Sequence, residues 1–170
     1  MSGRRLPPEE SVPLMGEHGM GGQHRSHDPG KQGALLADTR SLPWYSLGEG
    51  ISFQLLRFCE VTGRWALFVR MQPGSRILPH KHLSSGEFFV TKGELLYDVG
   101  SAPAGVYGYE AIGEIHEVAR AEVETEYLFL GHGPVAYPDD RGGIAYVLDY
   151  EFLKSVADGN VKANVTLPLK

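Results

Sequence analysis

The chain has 170 residues, 42% of them apolar, which is enough for one domain with a proper core and leaves little room for a second. A formal net charge of -5 removes the electrostatic case for nucleic acid or an anionic membrane surface, whose binders carry a basic patch, and leaves small neutral or metal-bound ligands as better candidates. Cys59 is the single cysteine, so neither an internal disulfide nor a thiolate zinc cluster can form within one chain. With no secretory-type segment and no apolar run long enough to span a bilayer, the expected address is the cytoplasm.

Residues 1–33 hold Pro7, Pro8, Pro13 and the run GEHGMGGQHRSHDPG, with no sustained apolar period. Such a stretch cannot bury enough surface to offset its ordering entropy, so a mobile tail is expected, with His18, His24 and His27 as solvated side chains. Residues 34–170 read as a single domain. ISFQLLRFCE, VTGR and RWALFVRM predict strand, tight turn, strand, with Trp65, Leu67, Val69 and Met71 on one face and Ala66, Phe68 and Arg70 on the other. Short strand-like runs follow: EFFVT, ELLYDV, GVYGYEAI, HEVA, VETEYLFL, PVAYP and GIAYVLDY. Turn-forming segments separate them: KGE, GSAPAG, AIGE, GHGP and PDDRGG. This is the pattern of an all-β sandwich or barrel. One helix closes the chain, with Asp149 as N-cap, Phe152, Leu153 and Val156 as its apolar stripe and Gly159 as its end, covering a barrel end or edge.

Within LPHKHLSSGE, His80 and His82 share one strand face while Lys81 points the other way, so two imidazoles can reach one divalent ion. Taken alone, a His-x-His pair is weak evidence for a metal and reads more readily as a solvated edge strand. Ser84 and Ser85 beside it read as turn formers, because nothing near them resembles an activated hydroxyl.

The wider spacing is more specific. Gly74 stands six residues before His80, and Glu87 five after His82; Gly105 is followed by Ala111, Gly113 and His116 at increments of six, two and three. Here the chain resembles the cupin superfamily over about Trp44 to Tyr150, which implies a double-stranded β-helix, or jelly-roll barrel. The cupin motifs run Gly, five residues, His-x-His, three or four residues, Glu, six residues, Gly, and then Gly, five residues, Pro-x-Gly, two residues, His, three residues, Asn. Ala111 stands where the second motif has proline and Arg120 where it has asparagine. Counted back from Gly93, the ligand glutamate of the first motif falls on Gly86, which has no side chain. Either a bulge returns Glu87 to the metal, or the site has three histidines and no protein carboxylate, and the second is the reading adopted.

Four stretches, LPWYSLGEGISFQLLRF, GRWALFVRMQPGSRILPHKH, GVYGYEAIGEIHEV and GPVAYPDDRGGIAYVLDYEF, are similar to the acetylacetone-cleaving and 2,4'-dihydroxyacetophenone-dioxygenase-like cupins. The resemblance implies His80, His82 and His116 as ligands of a non-haem iron(II), with zinc, nickel or manganese as other occupants. It further implies cleavage by dioxygen of a C–C bond beside a carbonyl, in a β-diketone or aryl hydroxyketone. Glu110 falls where that group has a glutamate that orders the pocket, and Glu114 lies beside the third ligand. His132 is a candidate acid/base group, with a hydrogen-bonded turn histidine as the alternative. Phe53, Trp65, Phe89, Tyr97, Tyr107, Tyr109 and Tyr127 are candidate cavity walls, with strand parity left to sort them. The resemblance also implies a homodimer or homotetramer, through exchange of a strand within Leu42 to Glu60. The rival readings are a zinc-holding sensory cupin without catalysis, another cupin enzyme, or a metal-free cupin, against which the three histidines count.

Overall fold

The computed structural model describes residues 36–117 and 119–168. The stretch expected to be a tail, with its three histidines, lies outside them. The chain opens with an antiparallel meander, β1 (Tyr45–Gly48), β2 (Ile51–Phe58) and β3 (Trp65–Met71). Next come β4 (Arg76–Ile77), β5 (His80–His82), β6 (Gly86–Lys92), β7 (Glu94–Tyr97), β8 (Gly100–Pro103) and β9 (Tyr107–Glu110). The second half holds β10 (Ile115–His116), β11 (Ala119–Arg120), β12 (Thr125–Gly131), β13 (Val135–Pro138), β14 (Ile144–Leu148), helix α1 (Tyr150–Ala157) and β15 (Thr166–Leu167).

Among the described residues the strands form three antiparallel sheets, in the orders β1-β2-β3-β12-β6-β9, β10-β5-β13-β14 and β15-β4-β11-β7-β8. Neighbours distant in sequence, such as β3 and β12 or β5 and β13, interleave the two halves of the chain, as in a jelly roll. The fold is therefore all-β with one short helix, as the sequence predicts.

Alternation places the core. Trp65, Leu67, Val69 and Met71 are all buried on the inner face of β3, the face the sequence predicts. Trp65 lies directly across from Gly131 of β12, where a Cβ would come within 2.2 Å of the indole ring; the glycine is there to seat the tryptophan. The indole Nε1 donates to the Gly133 carbonyl at 3.1 Å, so this polar atom is not orphaned in the core. At one end of the barrel, α1 buries Leu153 and Val156, and Tyr150 stacks on Phe58. Asp149 caps it, its carboxylate accepting from the Phe152 N–H at 2.9 Å.

One segment differs from expectation. GSAPAG, read as a turn, contributes β8, an edge strand paired with β7. Its Gly, Ala and Pro have low strand propensity, but an edge position tolerates a proline that donates nothing to the ladder. No helix among the described residues is long and apolar enough to cross a membrane.

Candidate metal centre

Three short strand elements bring the histidines together. His80 and His82 share the inner face of β5, and β10 pairs antiparallel with β5 so that His116 lies directly opposite His80. The three ring centroids form a triangle with 5.2 Å sides. One ring nitrogen from each lies within 4.8 Å of the others, and all three side chains are buried. The Lys81 side chain points outward, as alternation requires.

The protonation of the cluster follows from its surroundings. The His80 Nδ1 lies 2.9 Å from the Leu78 carbonyl, which can only accept, so Nδ1 carries the proton and Nε2 keeps a lone pair. Burial, against the help of that hydrogen bond, pushes the His80 pKa down to about 4. Burial and the neighbouring imidazoles push His82 down to about 3, opposed by a backbone hydrogen bond to Ser84, and burial lowers His116 as well. At neutral pH the cluster is three neutral imidazoles, the form that binds metals.

Glu110, only 3% exposed, faces them from the end of β9. Its Oε2 lies 3.1 Å from the His82 Nε2 and its Oε1 3.7 Å from the His116 Nε2. The first contact is not a salt bridge, because His82 is neutral at any ordinary pH. The His82 Nε2, His116 Nε2 and Glu110 Oε2 are buried and have no hydrogen-bond partner among the described residues. A cation held between the histidines would satisfy these buried polar atoms, so the residues present fit a divalent metal. Burial raises the Glu110 pKa to about 7, against a hydrogen bond from Tyr97 that lowers it.

Gly86 occupies the place where the sequence motif leads one to expect a carboxylate, and the structure accounts for the empty position. A Cβ there would lie 2.9 Å from the Glu110 Oε2 and 3.4 Å from the His82 Cε1. Glu87, one residue on, points to the other face of β6. Its Oε1 lies 2.9 Å from the His132 Nε2, and its Oε2 accepts from the Tyr107 hydroxyl at 2.9 Å. No bulge returns Glu87 to the histidines. His132, the candidate acid/base group, belongs with this outer pair rather than with the cluster. Glu114 caps the turn before the third histidine, its carboxylate accepting from the Ala111 N–H at 2.8 Å.

His80 and His82 line a cavity walled by aliphatic residues such as Leu67, Val69, Val135 and Leu148, and by Trp65 and Phe129, with His116 and Glu110 outside its lining. Among the described residues no lysine, arginine, aspartate or glutamate lines it. Of the seven aromatics singled out in the sequence, Trp65 and Tyr127 line this space, Phe53 is core, and Tyr97 packs behind His116 at 4.9 Å. Phe89, Tyr107 and Tyr109 are corrected: they lie on the outer face of the six-stranded sheet, 43%, 57% and 60% exposed. Phe129 and Tyr137, which line the cavity, were missed, although each shares strand parity with a buried residue two positions earlier, Tyr127 and Val135.

The sequence profile of the family described as the ChrR Cupin-like domain matches residues 32–136. Over 101 residues the chain is 31% identical to the acetylacetone-cleaving enzyme of Acinetobacter johnsonii, a match covering 56% of this chain and 66% of that relative, just under two thirds of its length. A solved acetylacetone dioxygenase from Acinetobacter johnsonii superposes with a TM-score of 0.68 at 24% identity, covering 84% of this chain and all of that one. A candidate acetylacetone dioxygenase from Methylibium petroleiphilum PM1 gives a TM-score of 0.69 at 24% identity, covering 74% of this chain and 94% of that one. At these identities the superpositions speak for the fold alone.

Proposed function

The chain belongs to the ChrR cupin-like domain family, and on that premise we propose that it is a metal-dependent dioxygenase that cleaves a C–C bond beside a carbonyl in a β-diketone or aryl hydroxyketone. One observation carries the reading: three buried, neutral imidazoles converge with ring nitrogens within 4.8 Å of one another, two of them, His80 and His82, at a cavity with otherwise uncharged walls, and the Glu110 carboxylate lies beside His82 and His116. The 31% identity to an acetylacetone-cleaving enzyme supports it.

His80, His82 and His116 would hold the ion through their ring nitrogens, with the His80 Nδ1 fixed by the Leu78 carbonyl so that Nε2 faces inward. Iron(II), or zinc, nickel or manganese in its place, would supply Lewis acidity toward the substrate oxygens and, for iron, the electrons that dioxygen chemistry needs. The cavity walls take up the hydrocarbon substituents of the substrate and exclude water. The Glu110 carboxylate, 3.1 Å from the His82 Nε2, would accept the proton that a carbon acid loses when it becomes an enolate.

The test is oxygen uptake by protein loaded anaerobically with iron(II), against acetylacetone and 2,4'-dihydroxyacetophenone, with identification of the product acids. Uptake stoichiometric with acid formation is expected. Bound iron with no uptake on either compound would transfer the reading to a metal-binding cupin without this activity, such as a zinc-holding sensory module, which the family's description also accommodates.

A further inference from the structure

Building on that reading, we propose that Gly86 and Tyr97 are positioning residues that together seat the Glu110 carboxylate against the histidine centre, in the space a strand β6 side chain would otherwise fill. Gly86 and Glu110 are direct cross-strand partners in the β6–β9 pair. Directly opposed side chains project to the same face of a sheet, so any side chain at position 86 enters the volume that Glu110 uses. A Cβ there would also meet the Phe129 Cζ at 2.7 Å. Gly86 is not among the glycines with positive φ. Its backbone accepts any residue, and the demand for glycine comes from the space in front of it.

Tyr97 acts from the opposite side. It stands on β7, in a different sheet from Glu110, and its hydroxyl donates to the Glu110 Oε1. Its ring packs on His116 at 4.9 Å and on Phe88 at 5.3 Å, which fixes the direction of that hydroxyl. The two carboxylate oxygens are thereby distinguished. Oε1 is anchored, and Oε2, with no hydrogen-bond partner, is left directed at the His82 Nε2. Tyr97→Phe removes the anchor and leaves the ring against His116, so carboxylate placement and support of the histidine can be separated.

The experiment is a double-mutant cycle of Tyr97→Phe and Glu110→Gln in the full chain, read in three ways: bound zinc or iron per chain, denaturant unfolding of the metal-free protein, and kcat and KM for acetylacetone. Metal content is expected to be retained throughout. The two changes should be non-additive in unfolding. Tyr97→Phe should lower kcat by roughly 10- to 100-fold with little change in KM, the range typical of residues that orient a metal site's inner groups. In the Glu110→Gln background it should have less than about a twofold further effect, and Gly86→Ala should reproduce the kcat loss with metal retained. Additive effects overturn the proposal, as does a loss of activity in Tyr97→Phe that merely tracks lost metal. If the iron-loaded parent protein turns over neither acetylacetone nor 2,4'-dihydroxyacetophenone, the dioxygenase reading falls separately. The unfolding cycle then decides the seat by itself, coupling supporting it and additivity overturning it.

Discussion

His80 and His82, held by burial at about 4 and 3, keep their lone pairs at any pH where the protein works. Both values lie below the 6.5 of a free imidazole, so the contribution these groups make to stability is complete above pH 6.5 and is lost as the pH falls through 6.5 toward 3. The thermal midpoint of the metal-free protein is accordingly expected to fall steadily from pH 6.5 to pH 4. Glu110 behaves in the opposite sense. Its value of about 7 lies above the ordinary 4.5, so its contribution is complete below pH 4.5 and is lost as the pH rises to 7 and beyond. Glu110→Gln should therefore raise the midpoint of the metal-free protein above pH 7 and give no such gain below pH 4.5, a contrast that calorimetry at the two pH values would read directly. For the three proposed ligands, His80→Ala, His82→Ala or His116→Ala should each abolish stoichiometric metal retention in elemental analysis. Glu87→Ala should leave it intact, because that carboxylate is committed to His132 and Tyr107 on the other side of the sheet.

Short elements do most of the placing. A three-residue strand, β5, supplies two of the histidines, and a two-residue strand, β10, supplies the third by pairing His116 opposite His80. Strands this short hold position only because β13 flanks β5 on its other side, pairing Val135 with His82. The loop joining β6 to β7 turns at Gly93, whose φ of +73° is unfavourable for other residues and whose Cβ would lie 2.3 Å from the Glu124 carbonyl. Gly93→Ala is expected to cost roughly 1–3 kcal/mol through backbone strain and that collision, seen as a lower denaturant midpoint. Asp149→Ala, which removes the cap of α1, should cost about 1 kcal/mol and leave metal content unchanged, since the helix packs on β1, β2 and β14 while the histidines stand on β5 and β10.

Across the whole molecule, the interleaved sheets surround a cavity with His80 and His82 at one part of its lining and uncharged walls elsewhere. On the proposed activity, a substrate would present two oxygens to the histidines and hydrocarbon to Leu67, Val69, Val135 and Leu148. A carboxylate carried on the substituent would be desolvated among these side chains with no cation to receive it. On the proposed activity, a diketone with an alkyl or aryl substituent should exceed its carboxylate-bearing analogue in kcat/KM by at least about tenfold, a difference of roughly 1.4 kcal/mol in transition-state stabilisation. Equal rates for the two would show that substituents lie outside this cavity.

Much of this was legible in the chain itself. Alternation along RWALFVRM placed its inner face correctly and Asp149 and Gly159 marked the helix, because period and capping are local properties that each segment carries wherever it packs, and the His80–His82 pair with the resemblance to the cupin motifs pointed to His116 as its companion. The missing carboxylate was legible only as a gap at Gly86. What fills it is decided by the pairing of β6 with β9 and the approach of β7, which bring Gly86, Glu110 and Tyr97 together from three strands in two sheets. The same holds for His132 and the outward aromatics Phe89, Tyr107 and Tyr109. Composition offers them equally to the cavity and to the surface, and only the register of the assembled sheets determines which face of each strand meets the core.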